Sequence, residues 1–147
     1  MYYGAMSAPT REVIVRGAAS GFAQSVEVEG LRFIADEPQA VGGGGTGPTP
    51  YDLLLASLGT CTSMTVGLYA RKHGWPLADV TVRLTHERIH EVDCAECVEH
   101  PRWLDRITLV LELTGALSDD QRERLRQIAA RCPVHKTLTS NITIEVR

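Results

Sequence analysis

Long hydrophobic runs, a strong excess of one charge and internal repeats are all missing from this 147-residue chain. Each absence removes a class of function. Lys and Arg number 15 against 18 Asp and Glu, a net charge of −3, and no basic stripe interleaves with aromatic residues. Nucleic acid is therefore not an expected partner. The longest apolar run, residues 53–58, is too short to cross a bilayer, so no membrane partner is expected either. Residues 1–10 lack the basic region and apolar stretch of a signal peptide and read as a frayed leader. Residues 11–147 are then expected to form one domain, long enough to bury its own core. The expected setting is cytoplasmic. Apart from one glycine run, nothing in the chain is of low complexity.

Cysteine is where the chain is informative. It has four, Cys61, Cys94, Cys97 and Cys132. In a reducing compartment these point to catalytic, redox or metal use rather than a structural disulfide framework.

The order of elements can be read from periodicity. Residues 11–16 and 22–29 read as strands, and the second alternates Phe22, Gln24, Val26 and Val28 against Ser25, Glu27 and Glu29. Gly30 turns the chain into a third strand, 31–35, completing an antiparallel meander. The run GGGGTGP at 42–48 is a loop. Thr49 and Pro50 then start a helix, an oxygen-bearing cap followed by Pro where its missing N–H costs nothing. Asp52 in the first turn suits the helix dipole. The helix is expected to run to His73, stop at Gly74, and form the core of the fold, being apolar nearly all round as far as Met64.

Residues 80–90 and 106–114 alternate as two more strands, joined by a loop carrying Cys94 and Cys97. Ser118 and Gln121 form a capping box that opens a second helix, with Leu125, Ile128 and Ala129 on its apolar face. A short helical turn after Pro133 and a last strand over 141–147 complete an α+β pattern.

The two remaining cysteines differ in context. Cys132, in RCPVHK (131–136), precedes a Pro at a first helical position and is an N-cap candidate. Unpaired backbone N–H groups there favour a thiolate, and Arg131 and Lys136 add positive charge. A small residue filling a helix corner explains the same string, and both readings stand. Cys61 among leucines mid-helix reads by itself as inert packing. The hydroxyls of Ser57, Thr60, Thr62, Ser63 and Thr65 keep a functional role open. His135, three residues beyond Cys132, could shuttle a proton or lie on the surface.

The string GPTPYDLLLASLGTC (47–61) resembles the central-helix motif of the superfamily of osmotically inducible protein C and organic hydroperoxide resistance proteins (OsmC/Ohr). CPVHKTLTSNI (132–142) resembles that superfamily's second-cysteine motif. The similarity spans about residues 13–146. It implies an OsmC-like α+β fold, with antiparallel sheets wrapped around central helices in an intertwined homodimer. It further implies a cofactor-free peroxidase in which Cys61 attacks an organic hydroperoxide and becomes a sulfenic acid. Cys132 then condenses with it to a disulfide, and an external dithiol restores both thiols. Bridging requires Cα atoms about 4.4–6.8 Å apart.

The hydroperoxide-resistance members carry a Glu directly after the helix-opening Pro, paired with an Arg that supports the thiolate. Here that position is Tyr51, and Asp52 follows, so the chain resembles a less characterised branch. Nine helical residues place Asp52 roughly 13–14 Å from Cys61 and on the opposite face. A supporting role for Asp52 therefore runs across the dimer interface; the alternative is a first-turn dipole residue. Arg16 is the candidate for the family's Arg, with Arg32 second.

Cys94 and Cys97 form a CxxC with His86, His90 and His100 nearby. Two Cys and two His could hold zinc, although zinc ribbons usually present two such knuckles. An auxiliary redox pair and a solvated loop are the other readings, and no metal site is assigned. Two further functions thus stand beside the peroxidase. One is a thiol-bearing binding protein of the same fold, the other a zinc-binding interaction protein using Cys94 and Cys97.

Overall fold

The computed structural model describes residues 11–90 and 103–147. They divide into two compact units, one ending at Leu53 and one spanning Leu54–Arg147. The expected leader lies outside the described residues, as do Cys94, Cys97 and His100.

The first unit opens with strands β1 (Val13–Gly17), β2 (Gln24–Val28) and β3 (Leu31–Ala35), an antiparallel sheet in the order β1-β2-β3. Val13, Val28 and Leu31 stand in one row across it, and Val15, Val26 and Phe33 in the next. One face is thus apolar, yet Val13, Val15, Leu31 and Phe33 are exposed. The other face carries Ile14, Glu27 and Arg32 in one row and Arg16, Ser25 and Ile34 in another.

After β3 the glycine-rich loop winds around one buried side chain. The Asp36 carboxylate accepts hydrogen bonds from the backbone N–H groups of Glu37 (2.8 Å), Gly44 (3.1 Å) and Thr46 (3.2 Å), and from the Thr46 hydroxyl (2.7 Å). These donors hold its carboxyl below the ordinary value of 3.8, with the Thr46 hydroxyl as the largest cause. The glycines let the backbone approach this closely: a Cβ on Gly43 would collide with the Glu37 carbonyl.

Helix α1 (Pro50–Lys72) starts as its sequence dictates, with a capping box. The Asp52 carboxylate accepts from the Thr49 N–H and the Thr49 hydroxyl, both at 2.8 Å, while Thr49 Oγ1 accepts from the Asp52 N–H at 3.1 Å. At the other end Gly74, at φ +64°, donates to the Arg71 carbonyl, and the Trp75 N–H donates to Ala70. This pair of bonds is a Schellman stop.

In the second unit β4 (Leu77–His90) pairs antiparallel with β5 (Trp103–Gly115), so β5 begins before residue 106, inside the expected loop. Helix α2 (Asp119–Ala129) carries the expected box: the Gln121 N–H donates to Ser118 Oγ, and the Ser118 N–H to Gln121 Oε1. Val66 and Ala70 of α1 and Leu125 and Ala129 of α2 form the core, flanked by Trp75, Leu77, Val80, Leu111 and Leu113. Helix α3 (Pro133–Leu138) follows.

Three expectations change. Helix α1 extends the short apolar run into 23 residues, long and apolar enough by length and composition to cross a membrane. Nor is it buried all round. Leu58, Gly59, Thr62, Thr65, Val66 and Ala70 are buried, whereas Met64 is 71% exposed and Leu68 and Tyr51 are open. An all-round apolar pattern needs cover on every side, and among the described residues α1 has it on one. The last segment, 141–147, is not a strand: it has no ladder partner among the described residues, and Ile144 and Val146 are 83% and 95% exposed.

Candidate functional site

Both described cysteines are free thiols, and both lie in the second unit. Cys61 is half-buried. At 100° per residue it sits on the border of two stripes of α1. Thr65, one turn on at i+4, belongs to the buried stripe, while Met64 at i+3 and Leu68 at i+7 are exposed. Cys61 thus stands at the edge of the buried stripe.

Cys132 is fully buried. It is the N-cap of α3, as its position before Pro133 predicts. Its sulfur accepts from the His135 N–H at 3.3 Å, so His135 reaches it through the backbone and not the ring. The His135 side chain helps line a cavity of about 490 Å³ with Leu109, Val110, Leu111, Arg126 and Ala129. Arg131 and Lys136 are exposed.

A second bond ties the two cysteine motifs together. Thr62 Oγ1 and Cys132 Sγ are 3.5 Å apart, both on fully buried residues. Since Thr62 follows Cys61 directly, the Cys132 sulfur is no more than about 10 Å from the Cys61 Cα, adding one Cα–Cα step to one side chain. Nothing in the sequence singled out Thr62 for this role. It was one hydroxyl among five near Cys61.

The other candidates belong to the first unit. Arg16 pairs with Glu27 at 3.6 Å, and Arg32 approaches the same carboxylate oxygen at 3.0 Å. Asp52 is engaged in its capping box, whose Thr49 donors, the backbone N–H first, hold its carboxyl below the ordinary value. In the second unit, His86 Nε2 lies 2.8 Å from Asp105 Oδ1. Among the described residues no group of three or more His, Cys, Asp or Glu side chains could hold a metal. The zinc alternative needs residues outside those described.

Comparison with known proteins agrees with this architecture. The family model of OsmC-like proteins matches residues 42–147. No curated protein gives a significant match. Among solved structures, the chain is similar to an OsmC-like protein from Mycoplasma pneumoniae (TM-score 0.68, 19% identity), covering 89% of this chain and 88% of that one. It is also similar to an organic hydroperoxide resistance protein OsmC from Legionella pneumophila (0.66, 21%), covering 90% of each chain. A third is the organic hydroperoxide resistance protein OhrB of Bacillus subtilis (0.63, 21%), covering 90% and 92%. At these identities the likeness is one of fold.

Proposed function

Because the chain belongs to the OsmC-like protein family, we propose that it is a cofactor-free thiol peroxidase that reduces organic hydroperoxides. The observation that carries this reading is the contact between Thr62, neighbour of Cys61, and the buried Cys132 sulfur. It sets the Cys132 sulfur against the helix that carries Cys61, which supports pairing the two thiols in one site.

In the proposed cycle the Cys61 thiolate attacks the distal oxygen of ROOH. The O–O bond breaks, the alkoxide takes a proton and leaves as ROH, and Cys61 becomes a sulfenic acid. The thiol of Cys132 then attacks that sulfur. An S–S bond forms, and the hydroxyl departs with the thiol proton as water. An external dithiol reduces the disulfide by two exchange steps and is itself oxidised to a disulfide. The difference in burial favours these roles, since a hydroperoxide must reach the attacking sulfur. The resolving sulfur needs only to meet the first.

The active form in this reading is a homodimer working in the cytoplasm. The support for a dimer is the apolar surface of each unit: the sheet face of Val13, Val15, Leu31 and Phe33, the open stripe of α1, and Ile142, Ile144 and Val146. Asp52 and Arg16 are proposed to act across that interface, Arg16 toward the Cys61 thiolate and Asp52 as the carboxylate supporting it.

Stopped-flow mixing of reduced protein with cumene hydroperoxide tests the reading. Rapid consumption of one equivalent per chain, with loss of two thiols, is expected. Thiols that persist through excess hydroperoxide would leave a binding protein of this fold as the better account.

A further inference from the structure

We propose that Thr62 is a positioning residue for Cys132: its hydroxyl holds the resolving sulfur inside the core of the reduced protein and must release it for the disulfide to form. The inference rests on the two-cysteine reading for its role in turnover, but its structural basis stands apart.

Hydroxyls inside helices ordinarily bond back to the preceding turn. Several do so here. Ser57 donates to the Leu54 carbonyl at 2.7 Å, Thr60 to Ala56 at 2.8 Å, Thr137 to Pro133 at 3.1 Å and Thr139 to His135 at 2.9 Å. Thr62 departs from that pattern. Its hydroxyl instead meets a sulfur 70 residues away in sequence. Thr65, one turn further along the buried stripe, has a buried hydroxyl with no partner among the described residues. It provides an internal contrast: the same residue type on the buried stripe of the same helix, without the sulfur.

With the His135 N–H as a second partner, the Cys132 sulfur is held by two contacts, and the residue is fully buried. It is thereby withheld from external thiols and disulfides. When Cys132 attacks the Cys61 sulfenic acid, its proton leaves in water and its sulfur becomes half of a disulfide. A disulfide sulfur has no proton to donate and accepts weakly, so the Thr62 bond is lost where the thiol is the donor and weakened where the hydroxyl is. The hydroxyl therefore stabilises the reduced pair over the oxidised one.

Thr62→Val keeps the shape and removes the hydroxyl, Thr62→Ser keeps the hydroxyl, and Thr65→Val is the control for loss of a buried hydroxyl alone. Two quantities are read in each, with far-UV circular dichroism to verify folding. One is the rate of Cys132 alkylation by iodoacetamide in reduced protein carrying Cys61→Ser. The other is the equilibrium constant for the Cys61–Cys132 disulfide against glutathione, with Cys61 intact. A net hydrogen bond of ordinary strength predicts that both rise about five-fold in Thr62→Val. Both should return toward wild type in Thr62→Ser and stay unmoved in Thr65→Val. Either quantity unchanged in Thr62→Val, or raised equally in Thr65→Val, overturns the proposal. Absence of any disulfide in the wild-type titration overturns the two-cysteine reading instead, and the alkylation arm still decides the role of Thr62.

Discussion

The Cys132 sulfur lies 3.5 Å from Thr62 Oγ1, against the helix turn that carries Cys61. One helix thus presents a half-buried thiol at the edge of the core and, one residue on, the contact that holds a second thiol inside it. The proposal that Cys61 is the attacking thiol rests on that division. Cys61→Ser should lose hydroperoxide consumption entirely, measured as residual peroxide after mixing with excess protein. Replacing Cys94 and Cys97 together by Ser should leave the first turnover within about two-fold of wild type, since the proposed chemistry uses neither.

The open stripe of α1 and the unpaired segment 141–147 lead to a prediction about assembly. Ile142, Ile144 and Val146 alternate with polar residues, the pattern of a strand with one face to bury. Light scattering of the purified protein should give twice the chain mass. Truncation after Ser140 should shift the protein toward a monomer or lower its stability, read as a reduced mass or urea midpoint. A truncated chain as dimeric and stable as the full one would remove this segment from the interface.

The Asp36 clamp carries a pH dependence of defined sign. Its carboxyl is held below 3.8 in the folded protein by its hydrogen-bond donors. The stabilisation is therefore fully present above 3.8 and is lost as pH falls through the lower folded value. Asp36→Asn puts an NH₂ group among donors that need an acceptor. It should lower the urea midpoint at neutral pH, and the gap from wild type should narrow as the solution is acidified below 3.8.

At the start of α1, cap and site can be separated. Thr49→Ala removes the cap hydroxyl and should cost about 1 kcal/mol in urea denaturation, leaving the rate of Cys61 oxidation unchanged in folded protein. Asp52→Asn weakens the same cap, but should also slow Cys61 oxidation if Asp52 supports the thiolate across the dimer. Equal rates in the two variants would reduce Asp52 to a helix-capping residue.

Much of the fold was legible because its signals are local. Thr49, Pro50 and Asp52 mark one helix start, Ser118 and Gln121 another, and Gly74 a stop, each through bonds spanning only a few residues. The N-cap role of Cys132 followed in the same way from Pro133. Contacts that cross the chain were not legible. Asp36 meets Gly44 and Thr46 through a loop without periodicity, and Thr62 meets Cys132 across 70 residues. Residues 141–147 show a third limit. Alternation tells which side chains share a face, but not where the ladder partner is, and within this chain none of the described residues provides it.

The most direct test is the fate of Cys61 in Cys132→Ser. One equivalent of cumene hydroperoxide should be consumed, and the protein should gain about 16 Da as a sulfenic acid. Dimedone labelling followed by peptide mass spectrometry should place that label on the peptide containing Cys61. A label elsewhere, or sulfenic acid on Cys132 in the reciprocal Cys61→Ser protein, would contradict the assignment of Cys61 as the thiol that attacks the peroxide.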